Sequence, residues 1–157
     1  MSSILEVVFE GVAKSSIFHF LAILINNAEK VTDFQCSENI LIFESSKLSK
    51  EGMNQFLCFE GDASVLINIK AMKLIDIVLP HVQLRLIKYG RHFDIDFNFD
   101  QYELENISMP ILLESLHVFA KSLASEFGVH SVYGGMEPAS DEDTRYFTNE
   151  QLGPLSA

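Results

Sequence analysis

The sequence predicts a single α+β domain, a mainly antiparallel sheet with two principal helices packed on it and an irregular C-terminal tail. Three observations carry that prediction. At 157 residues the chain has the length of one domain and can bury a core without disulfides or metal. Strand-like segments follow one another in meander order, and two longer segments place apolar residues at helical spacing instead. Hydrophobic residues make up 48% of the chain and charged residues 21%, on the folded side of the divide from disorder. Residues 1–133 are expected to form the core and 134–157 an acidic, irregular tail belonging to the same domain.

Ile4 to Val12 has the β-branched and aromatic content of a strand, with Glu6 and Glu10 on one face. Ser15 or Ser16 then offers an N-cap, and Ile17, Phe18, Phe20, Leu21, Leu24 and Ile25 fall near helical spacing, which predicts a helix ending between Ala28 and Val31. Asn39 to Glu44 reads as a second strand, and Ser49 as the cap of a short helix through Leu57 that Gly52 weakens. Strands are expected at Val65 to Lys70 and again just before Pro80. Val82, Leu84 and Leu86, extended to Lys88, alternate with Gln83, Arg85 and Ile87, Tyr89-Gly90-Arg91 forms a turn, and Phe93, Ile95, Phe97 and Phe99 alternate with Asp94, Asp96, Asn98 and Asp100. This is a hairpin with one greasy and one acidic face.

Ser108 and Pro110 open the second principal helix, whose apolar stripe is Ile111, Leu112, Leu116, Phe119, Leu123 and Phe127 before Gly128 stops it. Val129 to Tyr133 is expected as an edge strand. Beyond Gly134 apolar periodicity disappears. Arg145, the single base of the tail, is expected to tie it to a carboxylate through a bidentate pair or to touch a partner.

Lys plus Arg number 11 against 22 Asp plus Glu, a formal charge of -11. That field disfavours nucleic acid and anionic membrane and favours a cationic partner. The N-terminus shows no secretory signal, and the longest apolar run, Ile17 to Ile25, is about half a membrane span. Cys36 and Cys58 stand far apart without metal-ligand spacing and read as small buried thiols of a reducing cytosol. The five histidines, His19, His81, His92, His117 and His130, show no paired ligand spacing and read as local hydrogen-bonding residues.

The acid is localised. Residues 92–106 and 136–157 together hold ten carboxylates against Arg145 and account for -9 of the -11. Asp94, Asp96, Asn98, Asp100 and Glu105 approximate a calcium loop, but Phe99 stands where the sharp turn needs Gly, and an alternating strand cannot wrap an ion. Carboxylates two apart on a strand lie roughly 6.5 to 7 Å apart, a spacing found in carboxylate-pair hydrolases, which supplies an alternative reading as a small metal-binding or hydrolytic domain using Asp94, Asp96 and Asp100. No nucleophile elbow, triad or phosphate loop accompanies them. Like charges stacked on one face repel, and a cationic partner that covers them relieves the cost. The candidate partner-binding row is therefore Asp94, Asp96, Asp100, Glu103 and Glu105, joined by Asp141, Glu142 and Asp143 where the tail folds alongside. No cofactor and no metal is expected.

The tail segments Tyr133-Gly-Gly-Met-Glu-Pro-Ala-Ser140, Asp143-Thr-Arg-Tyr-Phe-Thr148 and Leu152-Gly-Pro154 resemble the ending of small bacterial immunity proteins encoded beside polymorphic toxins, including contact-dependent growth inhibition systems. The resemblance implies a non-enzymatic cytoplasmic antidote that binds one cognate toxin domain, commonly a nuclease, and covers its active site; a monomer or weak homodimer is expected. It transfers no catalytic motif and no contact residues.

Overall fold

A computed structural model describes residues 3–156. In chain order the elements are β1 (Ile4–Glu10), α1 (Ile17–Asn26), β2 (Lys30–Cys36), β3 (Phe43–Glu44), β4 (Lys47–Leu48), α2 (Lys50–Cys58), β5 (Ala63–Lys73), β6 (Val78–Tyr89), β7 (His92–Asp100), α3 (Met109–Phe127), β8 (Ser131–Met136) and β9 (Arg145–Thr148). Seven strands make one sheet in the order β2-β5-β6-β7-β1-β8-β9, with every neighbouring pair antiparallel, and β3 and β4 form a separate small hairpin. The predicted α+β class holds.

Alternation along the strands sends one set of side chains to a single core. Leu5, Val7 and Phe9 of β1, Leu84 and Leu86 of β6, and Ile95 and Phe97 of β7 are fully buried there. Phe9 meets Phe20 of α1 edge-on at 4.9 Å, and Phe97 meets Phe119 of α3 at 6.3 Å. The helices thus lie on one side of the sheet, and the apolar stripe of each has somewhere to go. The β6–β7 hairpin turns over two residues: Tyr89 pairs with His92, and Gly90 takes a φ of 58°, left-handed backbone that glycine adopts without steric cost.

Several boundaries differ from expectation. The first helix stops at Asn26 because Lys30–Cys36 peels away into β2, a strand with no readable alternation since most of its residues are exposed. The strand expected at 39–44 shrinks to the two residues of β3. Residues 63–73 form one continuous strand, and Pro80 lies inside β6 instead of after a strand. It is tolerated because β7 pairs with β6 only from Gln83 onward, so Pro80 sits where the sheet is paired on one side. Strand β8 is not an edge: it lies between β1 and β9, and the edge is the four-residue β9 drawn from the tail. Residues 134–156 therefore carry the end of β8 as well as β9, with irregular backbone around them.

Helix α3 starts and stops where expected, with Pro110 in its first turn and Gly128 at a φ of 64°. Ile111 departs from the expected stripe. It is 57% exposed, because the buried row runs in steps of four through Leu112, Leu116, Ala120 and Ala124. Both cysteines are free thiols. Cys36 is partly buried, whereas Cys58 is exposed, against expectation, with the Lys14 amine 3.7 Å from its sulfur.

Gly52, which weakened the α2 prediction, is required by packing. The Ser49 hydroxyl caps the helix by accepting from Gly52 N–H at 3.0 Å, and a Cβ at Gly52 would overlap the carbonyl oxygen of Leu41. Alanine normally favours a helix over glycine by about 1 kcal/mol. Here Gly52→Ala is expected to destabilise by about 1–3 kcal/mol, as overpacking does. Urea denaturation measures it, and a stabilised variant would show that α2 can move off Leu41.

Candidate functional site

With the helices on one side, the other side of the sheet carries no helix, and the acids of β7 point to it; its β1 and β8 part is covered by the chain itself, so that Glu6, Val8, Asp96 and Tyr133 are buried. Cross-strand pairing lays rows of side chains across this face. One row joins Asp33, Asn68, Gln83, Asn98 and Glu6 from β2 through β1. The next sets Gln35, Leu66, Arg85, Asp96, Val8 and Tyr133 side by side.

Arg85 is the centre of the second row. Its Nε and Nη2 donate to the two carboxylate oxygens of Asp96, each at 2.9 Å, the bidentate geometry that guanidinium and carboxylate share. Asp96 is 3% exposed, while the Arg85 side chain keeps 42% of its surface in solvent. Burial pushes the Asp96 carboxyl above its ordinary range; Arg85 pulls it back, and the nearby charges of Asp94 and Glu137 push it up again. Glu6, one row over, is also buried, and desolvation raises it against the opposing pull of the Ala139 N–H, which donates to it at 2.7 Å.

That N–H belongs to the tail. After β8, Glu137 N–H donates to Ile4 carbonyl at 3.0 Å, and residues 137–140 form a strap over the helix-free face beside β1. Arg145 locks the strap by donating to the carbonyls of Ala139 at 2.9 Å and Ser140 at 3.1 Å, with its guanidinium 4.2 Å above the Tyr133 ring. Arg145 thus ties the tail to the domain, but through carbonyls and an aromatic face, not the expected carboxylate. Burial pushes the Tyr133 hydroxyl up to about 12.

The predicted row of acids divides. Asp96 is not a surface residue, unlike the exposed row the sequence predicts, and its bidentate pair with Arg85 explains why a carboxylate can be buried there. Asp94 is half-buried and accepts from Gly11 N–H and the Tyr89 hydroxyl, both at 2.9 Å, which raises Tyr89. Asp100 caps the turn after β7 by accepting from Tyr102 N–H at 3.0 Å, and Glu103 meets the His81 ring at 2.7 Å. Glu105, Asp141, Glu142 and Asp143 are exposed. Strand and tail do come alongside, with β1 between them: Val8 pairs with Asp96, and Glu6 holds Ala139. Asp94, Asp96 and Asp100 are each engaged by a different partner, and among the described residues no group of three or more His, Cys, Asp or Glu side chains is placed to hold a metal ion. No described helix is long and apolar enough to cross a membrane.

Glu6 and Arg85 were missed as organisers of this face. For Arg85 the signal was present, because a two-residue turn at Gly90-Arg91 pairs Tyr89 with His92 and hence Arg85 with Asp96. For Glu6 there was none, since its partner is a backbone amide far along the chain.

Fold and surface together define a class, a small acidic α+β domain that keeps one face of an antiparallel sheet free of helices. The family is specific. The sequence pattern of the PABL017 Cdi1I immunity protein family matches residues 3–152, and the chain belongs to that family. The chain is also similar, at 32% identity and a TM-score of 0.88, to a chain in the crystal structure of the toxic C-terminal tip of CdiA from Pseudomonas aeruginosa in complex with immune protein, with 99% of this chain and 100% of that one covered. A comparison with curated proteins finds no match.

Two outcomes follow for the network. Arg85→Met leaves a buried carboxylate without its partner and is expected to cost about 3 kcal/mol, whereas Arg85→Met with Asp96→Leu recovers most of that loss. A double-mutant cycle in urea measures it, and additive losses would refute the coupling. The second concerns pH. The folded-state value of Glu6 lies above its ordinary 4.5, so its stability contribution is complete below 4.5 and is lost as pH rises through the folded value. Glu6→Gln is therefore expected to raise the urea midpoint relative to wild type near about pH 7, with the gap closing below about pH 4.5. A pH-independent difference would assign the effect to packing.

Proposed function

We propose that this chain is the antidote of a contact-dependent growth inhibition toxin. It binds the cognate toxin domain in the cytoplasm as a monomer or weak homodimer, by contact and not by catalysis, and neutralises it by covering its active site. The observation that carries this reading is likeness over essentially the whole chain to a protein from a complex of a CdiA toxic tip with immune protein, supported by membership of an immunity family.

The surface chemistry gives the reading its physical content and points to a basic nuclease as the toxin. A nuclease cleft is cationic because its substrate is a polyanion, and a localised acidic surface is complementary to it, which raises the association rate and disfavours wrong partners. Asp94 beside the hairpin turn, Asp100, Glu103 and Glu105 at and beyond the far end of β7, and Asp141, Glu142 and Asp143 on the tail are the residues assigned to that contact. Asp96 acts beneath them by holding Arg85.

Exposed charges act mainly on association rate and its salt dependence. Glu103→Lys with Glu105→Lys, and separately Glu142→Lys with Asp143→Lys, are each expected to slow toxin association roughly tenfold at low salt, with a smaller effect on dissociation. Stopped-flow binding at two ionic strengths reads this, and co-expression with the toxin domain reads protection. Wild-type rates in both pairs would remove the acidic surface from the mechanism.

A further inference from the structure

The two edges of the sheet are finished differently. At β9 the chain seals its own outer edge: Gly153 N–H donates to Tyr146 carbonyl at 2.7 Å, Leu155 N–H to Arg145 carbonyl at 2.9 Å, and Thr148 N–H to Gln151 carbonyl at 2.8 Å. At β2 nothing comparable happens. Ser37 N–H donates to Ser64 carbonyl at 2.9 Å, and in that register Asp33 and Gln35 turn their backbone toward β5 while Phe34 and Cys36 turn theirs outward. Among the described residues no loop or side chain bonds to these outward groups.

A row of unpaired N–H and C=O groups at strand spacing is satisfied best by another extended backbone. Side-chain room lies beside it. Phe34 is 41% exposed, its ring is 4.7 Å from Phe43, and a cleft of about 610 Å³ opens between β2 and the β3–β4 hairpin, lined by Val31, Phe34, Phe43 and Ser45 among others. The irregularity between Val31 and Asp33 limits the regular stretch to the second half of β2, so a short segment fits better than a long strand.

We propose that β2 takes an extended, basic segment of the toxin as an added strand, with an apolar side chain of that segment in the cleft beside Phe34. The proposal rests on the antidote reading above. Charge selects the occupant: Glu29, Asp33, Glu38 and Glu44 stand around this edge against Lys30, Lys47 and Lys70, and the chain as a whole carries -11, so a second copy meets its own sign while a cationic segment meets the opposite one. The helix-free face joins this edge to the acidic surface, across the rows that run from β2 to β8.

The test separates backbone from side chain. Phe34→Ala removes the ring and keeps the outward N–H; Phe34→Pro also removes that N–H, at a position where it serves no internal hydrogen bond. Calorimetric titration with the toxin domain encoded beside this chain is expected to show Phe34→Pro binding about tenfold more weakly than Phe34→Ala. Hydrogen exchange on the wild-type protein, which needs no variant to fold, is expected to show slowed exchange at Phe34 and Cys36 amides only in the complex. Equal affinities of the two variants, or unchanged exchange at both amides, overturns strand addition. A wild-type chain that does not bind the toxin overturns the antidote reading itself, and a homodimer that Phe34→Pro dissolves assigns the edge to a second copy instead.

Discussion

The two-residue turn at Gly90-Arg91 constrains most of what this sheet can do. It fixes β6 against β7 in one register, and a slip of a single residue would exchange the two faces. In the register it enforces, Phe93, Ile95, Phe97 and Phe99 enter the core, Asp94, Asp96 and Asp100 go to the other side, and Arg85 arrives opposite Asp96. The core and the charged face are two consequences of the same turn.

Placing five acids in one segment creates an electrostatic cost, and the structure meets it unevenly. Asp96 is buried and paired with Arg85, Asp94 accepts from Gly11 N–H and the Tyr89 hydroxyl, and Asp100 caps the turn that follows it; Glu6, on the neighbouring strand, is buried and held by a backbone amide. Of the exposed remainder at the end of β7 and on the tail, Glu103 meets the His81 ring at 2.7 Å, while Glu105, Asp141, Glu142 and Asp143 lie exposed. Burial raises Asp96 and Glu6 because a carboxylate loses more hydration than one partner returns. These groups give the strap over β1 its position and give the exposed acids a rigid base.

The helices crowd one side, so the opposite face and one edge are left for contact. The chain closes the β9 edge with its own C-terminal segment and leaves the outer half of β2 open. An immunity protein needs rigidity with a large uncovered surface, and a sheet backed on one side by helices supplies both. The helix-free face is mainly polar outside the strap, since the large apolar side chains of β1, β6 and β7 sit mainly on the other side.

Local periodicity alone determined much of this protein. The β6–β7 hairpin, helix α3 from Pro110 to Gly128, the Ser49 cap and the concentration of charge in two segments were all legible, because each depends on residues close in sequence. The tail's resemblance to immunity proteins pointed to the family as well. Strand β2, the interior place of β8, the edge strand β9, the role of Glu6 and the carbonyl partners of Arg145 were not legible. A strand exposed on both faces has no alternation to read, and a four-residue strand is too short to show one. Which carboxylates are surface and which are buried was decided by tertiary structure, since burial depends on what crosses overhead: at Asp96 and Glu6 that is Arg85 and the strap from residues far along the chain.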